Sequence, residues 1–515
     1  MAKDNVNPQE IMEESAKEVF DKLDGDRGTI LDNARKCAEL TLPYILPPDG
    51  HTENDSLPDP YQNLGARLVN NLASKITFTL LPPNNPFFRL FPDENTEGLL
   101  DSDEKRSEAN QIAVAIENEA QKVIAKESIG VPAIEMMKAL IVTGNALGVK
   151  VDVTTPIDKG LKTYRLDNYV VLRDYRGNLI DVVTRETVST DTLDDDLYAL
   201  LENEGEVAKE ATLYTRCVLK RDKWYEYQYI NDILVEDSLT TYNPEDMPYM
   251  ALRWSAINGH NYGVGLVEIH LGDFNTLEGA YQLLLEHASV AGRTIFGIKP
   301  GSQINIRDLQ NAKNGDVIQG DLEQEVTVLR VDKHQDLMSV ENVIEKLTRR
   351  LEQTFLAASS AVRESERTTA TEIRYLANDL ETSLGGTYTL LSQEFQFPLA
   401  RLVLSSLSKS KNSKVDAKGF DFVPVTGIES LGRNNDLDKL RQFSSIIQET
   451  PVLQESIGQM FNVQNYVDDV TTACSLPQGR YIKSQEQIQQ EQQAMQEQQL
   501  LMQGAGNGVD ALTKP

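Results

Sequence analysis

An α+β, mainly helical fold is what three features of the sequence predict. Apolar residues recur at three- and four-residue spacing over most of the chain. A central region, residues 148–258, drops to a period of two and is rich in β-branched and aromatic side chains. Helical spacing then returns on both sides of a short segment punctuated by Gly and Pro. With 515 residues, 40% hydrophobic and 25% charged, the chain can bury a real core.

Residues 9–42 read as a first helix, with Ile11, Val19, Phe20, Leu23, Ile30, Leu31, Ala34 and Ala38 recurring before Pro43. A Pro- and Asp-rich loop follows, and then Leu64, Leu68, Leu72 and Ile76 mark one face of a second helix closed by Pro82 and Pro83. A third helix is expected over 107–125 and a fourth over 131–147. The segments "GVKVDV", "YRLDNYVVLRD", "LIDVVTRETV", "ATLYTRCVLKRD", "KWYEYQYI" and "YMALRWSA" read as strands, with "DYRGNL" as a hairpin turn. The acidic stretch "DTLDDDLYALLENEGE" reads as a solvated surface excursion.

"GHNYGVG" is glycine-rich but lacks the Lys-Ser/Thr of a phosphate loop, so an ordinary helix-entry turn is the better account. Beyond it, Phe274, Leu277, Tyr281, Leu284 and Ala288 form one helical stripe and Val340, Val343, Leu347, Leu351 and Phe355 another. Between them "TIFGIKPG", "INIRDL", "GDVIQG" and "VTVLRV" read as short strands, which places a β module at the tip of an antiparallel helix pair. The two stripes look too exposed in a lone hairpin and are expected to pack on neighbouring subunits.

The helical pattern then stops at "SSAVRESERTTATEI", residues 359–373, which offers a core almost nothing. It resumes with Ile373, Leu376, Leu380, Leu384, Tyr388, Leu391 and Phe395 behind a capping box of Thr369 and Glu372. Gly385, Gly386 and Pro398 should bend or loosen this helix. A further helical region covers about 434–475, and residues 485–503 are Gln- and Glu-rich.

A formal charge of −29 argues against a protein that coats nucleic acid, because phosphate binding needs clustered Lys and Arg. Cys37, Cys217 and Cys474 lie too far apart for a zinc motif, the five histidines are mostly scattered, and no metal, cofactor or catalytic residue is indicated. Neither a signal peptide nor a membrane-spanning stretch is visible. Two basic features stand out: Lys346, Arg349 and Arg350 on one helical face, and Arg363 and Arg367 inside the insert. Salt bridging, Glu345 to Arg349 for example, is the bland account of each; their grouping beside the helix break favours a functional one.

Six stretches carry a resemblance. "GARLVNNLASK", "YRLDNYVVLRDYRGNLIDVVTR", "YGVGLVEIHLGDFNTLE", "TTATEIRYLANDLETSLGG", "YTLLSQEFQFPLARLVL" and "TGIESLGRNNDLDKL", in that order, resemble the portal (head-tail connector) proteins of T7-like short-tailed phages, podoviruses. The resemblance implies a phage portal fold assembling as a ring, usually a dodecamer. Residues 1–264 would be the wing, 265–291 and 333–358 the stem helices, 292–332 the clip, 370–408 a long wing helix, 409–480 the crown, and 481–515 a Gln-rich tail.

The resemblance further implies that residues 359–369 form the channel loop, so that Ser359, Ser360, Arg363, Glu364, Ser365, Glu366, Arg367 and Thr368 would line a water-filled DNA channel. Lys346, Arg349 and Arg350 would then be lumen-facing, and Arg293, Lys299, Arg307 and Lys313 would sit at a clip interface. Implied partners are double-stranded DNA, the major capsid protein, scaffolding protein, the terminase large subunit, the tail adaptor and internal core proteins. The implied place is the portal vertex of the virion, after assembly in the host cytoplasm. Two other readings stay open: an acidic soluble hydrolase, and a monomeric adaptor or docking protein of the virion.

Overall fold

The computed structural model describes residues 14–357 apart from 84–85, 94–102, 152–159, 194, 205–207, 292–294, 303, 315, 318, 320 and 330–333, then 383–409, 419–424 and positions 442, 444, 445 and 466. Two compact units divide the chain: one of residues 1–88 and 119–416, the other of 89–118 and 417–515.

The first unit begins with two helices where one was expected, α1 (Ala16–Gly25) and α2 (Gly28–Glu39). The break is at Asp26 and Arg27. Arg27 is 1% exposed, donates from Nε to Asp24 (2.8 Å) and from Nη1 to the carbonyl of Leu166 (2.7 Å), and lies over the Tyr262 ring. A guanidinium held inside by fixed acceptors sets the chain's path there, and local helix propensity gives way. In α3 (Leu64–Leu80) Leu64, Leu68, Leu72 and Ile76 are all buried, as their spacing predicts.

After β1 (Phe88–Pro92), α4 spans Asp103–Lys126, one turn longer at its start than the periodicity indicates. The next helix, α5 (Gly130–Thr143), stops four residues short of the expected end. Gly144 has φ +78°, and a Cβ there would come within 2.4 Å of the Gly265 nitrogen, so glycine is required both by conformation and by contact. This is the work of the glycines in "GHNYGVG": backbone approach at a helix entry.

The chain then forms β2 (Asn145–Val151), β3 (Gly160–Tyr164), β4 (Tyr169–Arg173) and β5 (Leu179–Ser189), with the expected turn at Asp174–Asn178 joining the last two. The acidic stretch folds as α6 (Asp195–Glu204), whose Leu201 is buried with Ala211 and Ile230, so the excursion is docked on one side. Next come β6 (Glu210–Lys220), β7 (Lys223–Ile230), β8 (Ile233–Leu234), β9 (Thr240–Tyr242), β10 (Tyr249–Arg253), β11 (Ser255–Ala256) and β12 (Gly263–Val264). They build an antiparallel sheet ordered β4-β5-β6-β7-β8, with β9 also on β7, and a smaller sheet ordered β10-β2-β3.

The larger sheet has two unlike faces. Val170, Val183, Tyr214, Val218, Tyr227 and Tyr229 pack on Ala16, Val19 and Phe20 of α1. Within that face Arg216 pairs with Asp181 at 2.7 Å. The opposite face presents Thr184, Thr215, Cys217, Glu226 and Gln228. The exposed edge of β4 is capped by side chains: the Val171 N–H donates to the Tyr262 hydroxyl (3.2 Å) and the Arg173 N–H to Asn261 Oδ1 (2.9 Å).

After α7 (Leu266–Ile269) the chain runs through α8 (Leu271–Ala291), β13 (Ile295–Ile298), α9 (Ile306–Asn311), α10 (Leu322–Glu325), β14 (Val326–Leu329) and α11 (His334–Thr354). "INIRDL" is therefore helical, not a strand: the Asn305 side chain caps α9 by accepting from the Arg307 N–H. "GDVIQG" forms no strand among its described residues. A last helix, α12 (Phe397–Lys409), follows helical residues 383–391 and a π turn at Ser392–Gln396. The π turn accommodates Pro398, which has no N–H for an ordinary helical bond.

In the second unit β1 pairs with β15 (Phe420–Pro424), and Glu117 accepts from the Leu90 N–H at 2.9 Å. Most of 409–480 and all of 481–515 lie outside the described residues.

Candidate functional site

α8 and α11 pair antiparallel, with Asp273 and Phe274 facing Arg350 and Phe355 at the base. β13 and β14 close the far end in a two-stranded register, Ile295 opposite Leu329 and Ile298 opposite Val326. Phe274, Leu277, Leu347, Leu351 and Phe355 are buried within this one chain. That corrects the expectation that both stripes wait for a neighbouring subunit: the base of each stripe is covered by its partner helix. The outer part differs, with Leu283 (52% exposed), Leu285, Met338 and Val343 open to solvent. A shallow, mostly apolar groove runs beside them, lined by Gly279, Ala280, Leu283, Val340 and Val343.

The base is fastened to the body by polar contacts. Arg67 pairs with Glu352 at 2.7 Å and Glu278 accepts from the backbone N–H of Tyr61 at 2.7 Å, while Arg350 and Asp273 join α11 to α8 within the hairpin. α11 ends in a Schellman closure, with the Leu356 N–H on the Gln353 carbonyl (3.1 Å) and the Ala357 N–H on the Glu352 carbonyl (2.7 Å). Leu356 occupies the left-handed position, φ +56°, where glycine is usual. Its carbonyl accepts from the Lys75 ammonium at 2.6 Å. The insert follows directly in sequence and lies outside the described residues.

The helix that follows the insert is anchored as firmly. Glu394, in the π turn, accepts from Arg253 Nη2 (2.6 Å), Arg253 Nε (3.0 Å) and the Arg253 N–H (2.8 Å). Arg173 lies 3.5 Å from the same carboxylate and is otherwise held by the carbonyls of Asn261, Gly177 and Ala251. Burial lowers the Arg173 pKa from its ordinary value, with Glu394 opposing. Gln396 donates to the Leu80 carbonyl at 2.9 Å.

Among the residues predicted from sequence, Arg349 pairs with Glu345 on the helix surface, Arg350 is joined to Asp273, and Lys346 is exposed. Lys299, Arg307 and Lys313 are exposed on the module at the tip; Arg293 lies outside the described residues. So do Ser359, Ser360, Arg363, Glu364, Ser365, Glu366, Arg367 and Thr368, and the capping pair Thr369 and Glu372. Lys75, Arg67 and Glu278 are absent from the expectations. A signal for Lys75 exists, since it sits on the same face of α3 as Leu68, Leu72 and Ile76.

Burial pushes the Cys37 thiol up to about 12 and the Cys217 thiol well above its usual value, which makes both poor nucleophiles at neutral pH. Among the described residues no group of His, Cys, Asp and Glu is placed to hold a metal, and no helix is long and apolar enough to cross a membrane.

Comparison with known proteins bears on the whole chain. Residues 13–482 match the family model described as "Bacteriophage head to tail connecting protein". The portal protein of Enterobacteria phage T3 is 31% identical over 440 residues, covering 84% of this chain and 81% of that one. The portal protein of Enterobacteria phage SP6 is 29% identical, covering 92% and 90%. Among solved structures, a chain in the virion of a native gene transfer agent particle aligns at 11% identity over 80% of this chain and 90% of that one, with a TM-score of 0.38. The family match over nearly the full length, with the T3 relative above 30% identity, establishes that this chain belongs to the bacteriophage head-to-tail connecting family, the portal proteins of T7-like phages.

Proposed function

We propose that this chain assembles as a closed ring, with twelve copies as the expected number, at one vertex of the capsid. Double-stranded DNA is packaged and later ejected through the ring, and residues 359–369 face the channel. The role is structural and not catalytic. The observation that supports it best is the pair of anchors on either side of the insert, Lys75 on Leu356 and Arg253 on Glu394. A polar segment that follows a charged hydrogen bond on one side and precedes a helix fixed by a buried ion pair on the other belongs to a place where it meets something passing by, because it adds little apolar burial of its own.

In this reading α8 and α11 are the stem, and residues 292–332 are the clip that receives the terminase large subunit and later the tail adaptor. Exposed Lys299, Arg307 and Lys313 supply charge for those contacts. The body of the first unit meets the major capsid protein and scaffolding protein during assembly in the host cytoplasm, and internal core proteins bind on the capsid side. The acidic balance, −29 per chain, keeps DNA from adhering to the wall, while Arg363 and Arg367 give weak, salt-sensitive phosphate contacts.

The test uses full-length protein and a variant with residues 359–369 shortened. Electron microscopy of both should show rings with a central hole, and capsids carrying the variant should lose packaged DNA after the motor leaves. Normal DNA retention in a ring lacking the insert overturns the channel role; absence of any ring in the full-length protein overturns the assembly.

A further inference from the structure

The inner face of the larger sheet is polar although it is covered. Thr184 and Cys217 are fully buried there and Thr215 nearly so, with Glu226 and Gln228 in the same register rows. A covered sheet face is normally filled by apolar side chains, as most of the α1 side of this same sheet is by valines and tyrosine rings. The smaller sheet places Tyr249, Val149 and Lys162 opposite one another on one face, with Tyr164 two residues from Lys162.

Tyrosine hydroxyls and carboxylates join the two sheets. The Tyr164 hydroxyl donates to Glu186, and Lys162 Nζ donates to the same carboxylate at 2.6 Å. The Tyr242 hydroxyl of β9 donates to Glu226 at 3.4 Å, and the Tyr249 hydroxyl of β10 also reaches Glu226. The groups facing Glu226 are thus Tyr242 from β9, Tyr249 from β10, Tyr164 from β3 and Cys217 from β6, each of them neutral at ordinary pH. The nearby cation, Lys162, is engaged by Glu186.

We propose that Glu226 is a proton-operated fastener between the two sheets: while neutral it lets Tyr242 and Tyr249 close over it, and when ionised it draws water into the joint and loosens β9 and β10. Burial without an opposing cation raises the pKa of this carboxyl above the usual value of 4.5. The closed joint is therefore favoured at low pH and weakens as pH rises through the folded-state value. β10 ends at Arg253, which holds Glu394, so loosening reaches the π turn of the long helix by a direct ionic contact. This inference is independent of the channel reading and stands or falls separately.

Hydrogen exchange of the intact protein, corrected for the intrinsic rate, tests it. Backbone protection of residues 240–242 and 249–253 is expected to fall as pH rises through the folded-state value of the buried carboxyl. Protection of the β5 and β6 pairing serves as the control and is expected to hold. Glu226→Gln should abolish the pH dependence. Tyr242→Phe removes a hydrogen bond that favours the ionised form, so the transition should move to higher pH. The inference is overturned by wild-type protection that does not change with pH, by the same loss in Glu226→Gln, or by a Tyr242→Phe transition that stays in place or moves lower.

Discussion

The ammonium of Lys75 donates to the carbonyl of Leu356 at 2.6 Å across 281 positions of sequence, and the residue it holds is a leucine in left-handed conformation. A buried cation and a strained backbone thus determine each other's place. Leu356→Val is expected to destabilise the fold by at least about 1 kcal/mol more than Leu356→Gly, because a β-branched side chain tolerates positive φ worst and glycine bears no penalty. Lys75→Met should cost about 1.5–3 kcal/mol, the range for a hydrogen bond to a charged group. Urea unfolding followed by far-UV circular dichroism measures both, and equal losses for valine and glycine would show that Leu356 is unstrained.

The stem hairpin has an inner and an outer set of apolar residues with different duties. Leu347→Asp or Leu351→Asp puts a charge among Phe274, Leu277 and Phe355 and should unfold the hairpin itself, so loss of helical signal accompanies any loss of assembly. Leu283→Asp combined with Val343→Asp changes exposed positions lining the groove and should leave the helices intact while ring assembly fails. Sedimentation velocity read beside circular dichroism separates the two. Intact rings from the outer pair would place the subunit contact elsewhere.

Glu394 answers two buried guanidiniums, those of Arg253 and Arg173. Replacing it with alanine leaves both charges without a carboxylate and is expected to cost about 3–5 kcal/mol. Part of that loss should be recovered in an Arg253→Met, Glu394→Met pair, since one of the two uncompensated charges is removed and Arg173 keeps its carbonyl acceptors. Additive losses in this double-mutant comparison would show that the two side chains do not act as a pair.

The pH dependence of stability follows from Glu226. Its folded-state pKa lies above 4.5 because burial penalises the charged form more than the Tyr249 and Tyr242 hydroxyls relieve it. The native state therefore binds the proton more tightly than the unfolded chain, so the contribution of this group is present in full below pH 4.5 and is lost as pH rises through the folded-state value. Glu226→Gln should be more stable than wild type at neutral pH, with the advantage shrinking toward pH ~4.5. Denaturant midpoints at a series of pH values provide the comparison, and an advantage that grows on acidification would reverse the assignment.

What the amino-acid sequence determined by itself was the kind and order of the elements wherever the side-chain pattern was long and regular. Leu64, Leu68, Leu72 and Ile76 meant a buried helix face, and the alternation in "LIDVVTRETV" meant a strand, because these periods follow from backbone geometry and need no distant partner. The tertiary structure alone decided where elements stop and which polar groups go inside. The first helix breaks at Arg27 because its acceptors, Leu166 and Tyr262, arrive from far along the chain. α5 ends at Gly144 because Gly263 and Gly265 lie against it; the Asn305 cap of α9, by contrast, is a local signal two residues from its Arg307 partner that the strand reading missed. The stripes of α8 and α11 were legible as apolar, but their division into a base covered within the chain and an outer part left open was not. A hydrophobic period says that a face will be covered; only the packed structure says by what, since burial depends on which residues the fold brings opposite.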